Sequence, residues 1–201
     1  MSVITYIVGI DEVGRGPLAG PVVLCACAVP VDFDFSLLAD IRDSKKLSEK
    51  KREEWHTALI ELGRTQGLNY ALASVEADEI DTIGIARAIE KAVGQCLDTL
   101  KLPPDVVEVR LDGSLKAPKQ FIHQRTIIKG DEKEPIISAA SILAKVMRDR
   151  YMVDISSQYP EYGFGQHKGY GTATHIRAIR SHGPSPLHRR TFLSSILTSH
   201  T

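Results

Sequence analysis

The sequence predicts an α/β layered domain on a mixed central sheet flanked by helices, with a helical segment at its C-terminal end. Three observations carry this. Apolar runs of strand length alternate with amphipathic helical segments. The first two strands follow each other with only a glycine-rich turn between them. The 201 residues are 43% hydrophobic, enough for a sizeable core. Strands separated by helices imply layers, and the early strand pair adds an antiparallel member to the sheet.

The elements follow in order. Residues 3–10 and 21–30 are apolar enough to be central strands, paired as a hairpin, with Pro30 ending the second. Ser48 caps a helix whose apolar positions Trp55, Leu59 and Leu62 fall on one face, with Gly63 closing it. A strand follows at 68–75. Ile85, Ile89, Ala92, Val93, Cys96, Leu97 and Leu100 share one face of a helix that stops before Pro103 and Pro104. Val107, Val109 and Leu111 alternate with Glu108 and Arg110 in a strand ending at Asp112, and 121–129 reads as a further strand ending near Asp131. Pro135 opens a helix of roughly twenty residues through Ile142, Leu143, Val146 and Met147. Beyond it lie loop and short helix, with Thr172 as N-cap and Gly183 as C-cap.

Composition narrows the function classes. Apolar stretches 3–10 and 21–31 are too short to cross a membrane, and the N-terminus lacks a secretory signal pattern, so no membrane partner and a cytoplasmic location are expected. Cys25, Cys27 and Cys96, odd in number and set in apolar segments, fit reduced buried thiols better than disulfides or a zinc site. The net charge of zero conceals a split. After Glu161 no acid occurs, while Lys168, Arg177, Arg180, Arg189 and Arg190 give five positive charges, leaving −5 for residues 1–161. A basic arm beside an acidic body suits phosphate binding next to a carboxylate cation site, and an ordinary basic terminal helix has the same signature.

Four acids occupy ends of elements: Asp11 and Glu12 close the first strand, Asp112 a later one, and Asp131 precedes the long helix. Carboxylates drawn together resist ionisation unless a cation neutralises them, and hard oxygen ligands suit magnesium or manganese. Two such ions are a common device for phosphodiester cleavage. Singly, each acid also fits a solvated turn. "GRGPLAG" is not a dinucleotide fingerprint, since its last spacing is wrong, Pro17 interrupts and a strand follows. Gly14 and Gly16 instead allow close backbone approach to a ligand, with Arg15 available to phosphate; a plain hairpin turn is the alternative. "FGQHKGYGTATH" at 164–175 mixes donors with aromatic faces that can stack on a sugar or base.

Taken together, "GIDEVGRGPLAGPVV", "DSKKLSEKKRE", "LDG", "IIKGD", "ISAASILAKVMRDR", "YGFGQHKGYGTATH" and "LHRRTF" resemble the ribonuclease HII family, the type 2 ribonucleases H, in family order along nearly the whole chain. The resemblance implies a ribonuclease H-like fold, with residues 1–160 as the catalytic domain and 161–201 as a C-terminal loop and helical segment packed on it and contributing to substrate binding. It implies an endonuclease that hydrolyses the RNA strand of RNA/DNA hybrids and incises 5′ to single ribonucleotides in duplex DNA, using Mg2+ or Mn2+ in a two-metal reaction that leaves 3′-hydroxyl and 5′-phosphate ends. The family's metal-binding acids fall on Asp11, Glu12, Asp112 and Asp131, and its Gly-Arg-Gly loop, which contacts the 2′-hydroxyl and neighbouring phosphate, on Gly14, Arg15 and Gly16. Tyr170 matches the sugar-stacking tyrosine, Ser44, Lys45 and Lys46 belong by the nucleic-acid backbone, and Lys168 joins the substrate-binding set. Asp149 is read as a structural residue of the long helix. The segment 113–125 matches no family motif, the extra N-terminal domain of ribonuclease HIII is not expected, and the protein is expected to be monomeric. A replication-clamp contact is not readable. Competing readings are a non-catalytic duplex-binding module and a proofreading-type exonuclease; the latter carries Asp-x-Glu where this chain has Asp11-Glu12 adjacent.

Overall fold

The computed structural model describes residues 3–41 and 47–197. Five strands form one sheet: β1 (Tyr6–Val13), β2 (Val22–Pro30), β3 (Asn69–Val75), β4 (Val107–Asp112) and β5 (Gln124–Ile127). Their order is β3-β2-β1-β4-β5. β1 runs antiparallel to β2, as the hairpin reading expects, and parallel to β4, while β4 is parallel to β5, so the sheet is mixed.

The α-helices of the described residues are α1 (Glu49–Thr65), α2 (Ala77–Ile83), α3 (Ile85–Leu100), α4 (Gly130–Lys133), α5 (Pro135–Ser156), α6 (Phe164–His167), α7 (Ala173–His182) and α8 (Ser194–Leu197). The period of two along each strand sorts the core into two layers. Val8, Ile10, Leu24 and Ala26 pack with Ala88, Ala92, Val93 and Cys96 of α3. Ile7, Cys25 and Cys27 face the other way, toward Ile136, Ala140 and Leu143 of α5 and Leu59 of α1. Each buried Leu, Ile or Val contributes about 1.5–3 kcal/mol, so these faces, more than helix propensity, hold the layers. Gly9 sets how close α5 can lie: a Cβ there would stand 2.5 Å from the Ile136 carbonyl carbon.

Most elements match the sequence reading, and the boundaries that differ do so for local reasons. The caps at Ser48, Thr172 and Gly183 form as expected, the Ser48 side chain accepting from Lys51 N–H and that of Thr172 from His175 N–H. Gly63 does not close α1, which runs on to Thr65; a Cβ at Gly63 would meet the Leu68 carbonyl oxygen at 2.9 Å, so the glycine marks a close approach. β1 extends past Ile10 to Val13, because β2 pairs with it as far as Val13–Val23, so Asp11 and Glu12 lie within its last residues. The expected strand at 121–129 shrinks to Gln124–Ile127. The Gln124 side chain bonds the Ala117 N–H and the carbonyls of Ala117 and Phe121 at 2.9, 3.2 and 3.0 Å, holding 117–121 as a turn. α2, seven residues long, is too short for a periodic signal. The three cysteines are free and buried, as expected. No described helix is long and apolar enough to cross a membrane.

A third cluster, Ala19, Met152, Tyr162, Phe164, Ile179 and Leu193, fastens residues 162–193 to the end of α5 and to the loop between β1 and β2. Buried histidines run through it. His175 Nδ1 lies 2.9 Å from the Tyr170 carbonyl and must donate to it, so its Nε2 accepts from His188 Nε2 at 3.0 Å, and His188 Nδ1 accepts from Ser185 N–H at 2.9 Å. One neutral tautomer of each ring satisfies the whole chain, with a single proton shared between the two Nε2 atoms and with the Ser185 hydroxyl 2.8 Å from His188 Nδ1. Burial pushes both histidines down to about 4. Since their folded pKa values are depressed, the unfolded chain binds more protons in acid; the stability they contribute is present above about 6.5 and lost as pH falls toward 4. Urea unfolding midpoints should therefore drop between pH 7 and pH 4.5. His188→Gln should flatten that slope, and an unchanged slope would place the acid sensitivity elsewhere.

Candidate active site

Parallel pairing of β1 with β4 sets their C-terminal ends side by side. Oxygens of Asp11 and Glu12 on β1 and of Asp112, the last residue of β4, all lie within 4.8 Å of one another. The fourth predicted acid, Asp131 in α4, falls outside that close group among the described residues, yet it is buried beside it. The amides of Gly130 and Asp131 approach Asp112 Oδ1 at 2.6 and 3.4 Å, so the turn carrying Asp131 also orients Asp112. Ser138 of α5 in turn donates to the Asp131 carbonyl at 2.5 Å.

The electrostatics are those of a site short of positive charge. Burial, more than the neighbouring carboxylates of Asp112 and Glu12, pushes the Asp11 carboxyl up to about 8, opposed by a hydrogen bond from Ser141. Glu12 is raised as well, burial again first, with Arg15 opposing. Among the described residues Glu12 Oε2 is buried without a hydrogen-bond partner. Crowded, desolvated carboxylate oxygens with an orphaned acceptor fit a hard divalent cation, which would satisfy the oxygens and restore their ionised forms.

A cleft of about 370 Å3 opens beside these acids. Gly14, Arg15 and Gly16 line it together with Tyr170, whose side chain is well exposed. The sequence reading missed three further polar lining residues, Arg52, Ser141 and Lys145. Lys145 had a signal: it interrupts a face of α5 that buries Ile142, Leu143 and Val146. Its Nζ pairs with Asp149 at 2.8 Å and lies 5.9 Å from the Tyr170 ring centroid, so Asp149, on α5 as expected, orients a cleft cation. Arg52 donates to the Leu47 carbonyl. Lys168 does not line the cleft, because its Nζ turns back to the Gly165 carbonyl. Ser44, Lys45 and Lys46 lie outside the described residues. A second groove, about 220 Å3, continues past Arg15 along Ser114 and Lys116, which brings part of segment 113–125 to the site; Arg15 Nη1 makes long contacts to Ser114 Oγ at 3.4 Å and Glu12 Oε1 at 3.5 Å.

Comparison with known proteins agrees with this geometry. The family model for ribonuclease HII matches residues 8–195. The chain is 48% identical over 187 residues to a ribonuclease HII of Shouchella clausii, covering 92% of this chain and 67% of that one. It is 47% identical over 193 residues to the ribonuclease HII of Caldicellulosiruptor bescii, covering 96% and 89%. The crystal structure of ribonuclease H2 from Pyrococcus horikoshii superimposes with a TM-score of 0.73 at 29% identity, covering 96% of this chain and 97% of that one, which also gives the sheet and its helices as the ribonuclease H-like fold. With a carboxylate cluster beside a cleft and a family match along nearly its whole length, the chain belongs to the ribonuclease HII family, endoribonucleases that hydrolyse RNA in RNA/DNA hybrids.

Proposed function

We propose that this enzyme, besides cutting hybrids, incises 5′ to a single ribonucleotide embedded in duplex DNA, with Asp11, Glu12, Asp112 and Asp131 holding two divalent cations, Mg2+ or Mn2+. The observation that carries the reading is one cleft lined both by Asp11 and Glu12 of the close acid group and by Gly14, Arg15, Gly16 and Tyr170. When bound, the cation pair supplies activation of the attacking water and stabilisation of the leaving oxygen. The chain's own residues do the rest. The four acids fix the cations, Lys145 and Arg52 offer positive charge toward phosphate, and the 14–16 loop and Tyr170 contact the ribose, where a 2′-hydroxyl distinguishes RNA from DNA. Residues 161–201 act as the substrate-binding appendage of the 1–160 catalytic domain. A gel assay on a duplex with one ribonucleotide, with Mg2+ and with chelator, tests this: metal-dependent cutting on the 5′ side supports it, and cutting restricted to continuous hybrids overturns it.

The two loop glycines separate structural from functional need. Gly14 has φ +90, and a Cβ there would meet Arg148 Nε at 2.3 Å, so the fold itself requires glycine. Gly16 has no such φ, and a Cβ added there would meet nothing within 4 Å, so only a bound substrate gives it a reason. Gly16→Ala should therefore melt like wild type yet lose about 10-fold in kcat/KM on the single-ribonucleotide duplex, whereas Gly14→Ala should lower the melting temperature. Full activity in Gly16→Ala would free that residue from substrate contact.

A further inference from the structure

Arg148 and Arg189 are the largest fully buried side chains of the described residues. A buried guanidinium ordinarily finds a carboxylate, because an unpaired charge is costly to desolvate. Among the described residues neither forms an ion pair, and every one of their six guanidinium nitrogens donates to a backbone carbonyl. Arg148 takes Pro21, Lys168 and Ala19 at 2.9, 2.9 and 3.1 Å. Arg189 takes Gly20, Arg15 and Gly14 at 3.0, 3.0 and 2.6 Å. Five of these six carbonyls belong to the loop between β1 and β2, and the sixth belongs to the segment that carries Tyr170.

The consequence follows from peptide geometry. In a planar trans peptide the carbonyl of one residue and the N–H of the next point in opposite directions, and the described chain has no cis peptide. Arg189 draws the Gly14 and Arg15 carbonyls into the protein. The N–H groups of Arg15 and Gly16 must then point out, and both residues line the cleft. Neither N–H has a protein acceptor among the described residues. Three carbonyls facing different ways need three donors in a rigid plane, which arginine has and lysine lacks.

We infer that Arg189 is a positioning residue: by holding the Gly14 and Arg15 carbonyls it turns two adjacent backbone N–H groups toward the ribose and phosphate at the cut. Arg148 does the companion task. It ties Lys168 to Ala19 and lies 5.9 Å from the Tyr170 ring centroid, so the two halves of the ribose contact move as one body. The inference rests on the proposed role of the 14–16 loop.

Arg189→Lys keeps the charge and removes the fork. On a single-ribonucleotide duplex its kcat/KM is expected to fall at least about 10-fold, mostly in kcat, while its affinity for an all-DNA duplex of the same sequence stays within about twofold. Activity near wild type, or equal losses on cleavage and on DNA affinity, would show that charge alone matters and overturn the inference. A second measurement does not depend on the variant folding. In chelator, where substrate is bound without cutting, hydrogen exchange at Arg15 and Gly16 of the wild-type enzyme should slow on adding the single-ribonucleotide duplex and not on adding all-DNA duplex; no difference between the two overturns it as well. Gly16→Ala separates the two levels: if it leaves ribonucleotide cleavage intact, the loop reading itself fails, and if it abolishes preference while Arg189→Lys does not, only the role of Arg189 fails.

Discussion

Asp11→Asn is expected to lower turnover on an RNA/DNA hybrid by at least about 10²-fold, or ~2.7 kcal/mol of transition-state stabilisation. Asn preserves the shape at the end of β1 but removes one anionic charge from a group whose oxygens lie within 4.8 Å of one another. The same change should help the metal-free fold. The Asp11 carboxyl is pushed up to about 8 by burial, so in chelator its protonated form contributes stability at low pH that is lost as pH rises through about 8. Wild type should therefore lose melting temperature between pH 6 and pH 9 in chelator, and Asp11→Asn, with nothing to ionise there, should lose less. Added Mg2+ should raise the wild-type melting temperature more than the variant's. Normal turnover would remove Asp11 from the metal site, and parallel pH dependences would remove the electrostatic account.

What was legible in the sequence was whatever has a short-range cause. The period-two pattern of 107–112 and the helical period of 85–100 are set by which face each residue buries, and both elements appear where those patterns put them. Asp11, Glu12 and Asp112 stood out as acids at the ends of apolar runs, and parallel pairing of β1 with β4, a topological fact, then brought them together. What stayed hidden depends on distant partners. Nothing near Gly63 announces that the Leu68 carbonyl will crowd it. Arg148 and Arg189 read as ordinary members of a helix and a basic tail, because their carbonyl partners lie up to 175 residues away. Ser141 and Lys145 become cleft residues only once α5 is laid across β1, and the close approach at Gly9 that allows this is itself a tertiary contact. A charge count says nothing of orientation at Lys168, whose ammonium turns back to the Gly165 carbonyl and whose own carbonyl accepts from Arg148.

Tyr170→Ala is expected to lose more activity on a single embedded ribonucleotide than on a continuous hybrid. The ring is well exposed, lines the cleft and lies near two cations, Lys145 Nζ and the Arg148 guanidinium, each 5.9 Å from its centroid. Stacking of an aromatic ring on a nucleotide is worth about 1–3 kcal/mol, or roughly 5- to 150-fold. With one ribose available, that whole amount is needed to set the register of the scissile phosphate, so the loss should approach about 10²-fold and fall on kcat as well as KM. On a hybrid, neighbouring 2′-hydroxyls can meet the 14–16 loop in successive registers, and the loss should stay near roughly 10-fold. The backbone at Tyr170 is held independently of its ring, since its carbonyl accepts from His175 and Arg148 anchors Lys168 two residues earlier. Removing the ring should leave the loop in place, so the melting temperature checks that the effect is local. The decisive comparison is kcat/KM of wild type and variant on both substrates at one salt concentration, because phosphate contacts respond to salt in either case. Equal losses on the two would make Tyr170 a general binding residue, and no loss on either would remove it from the site.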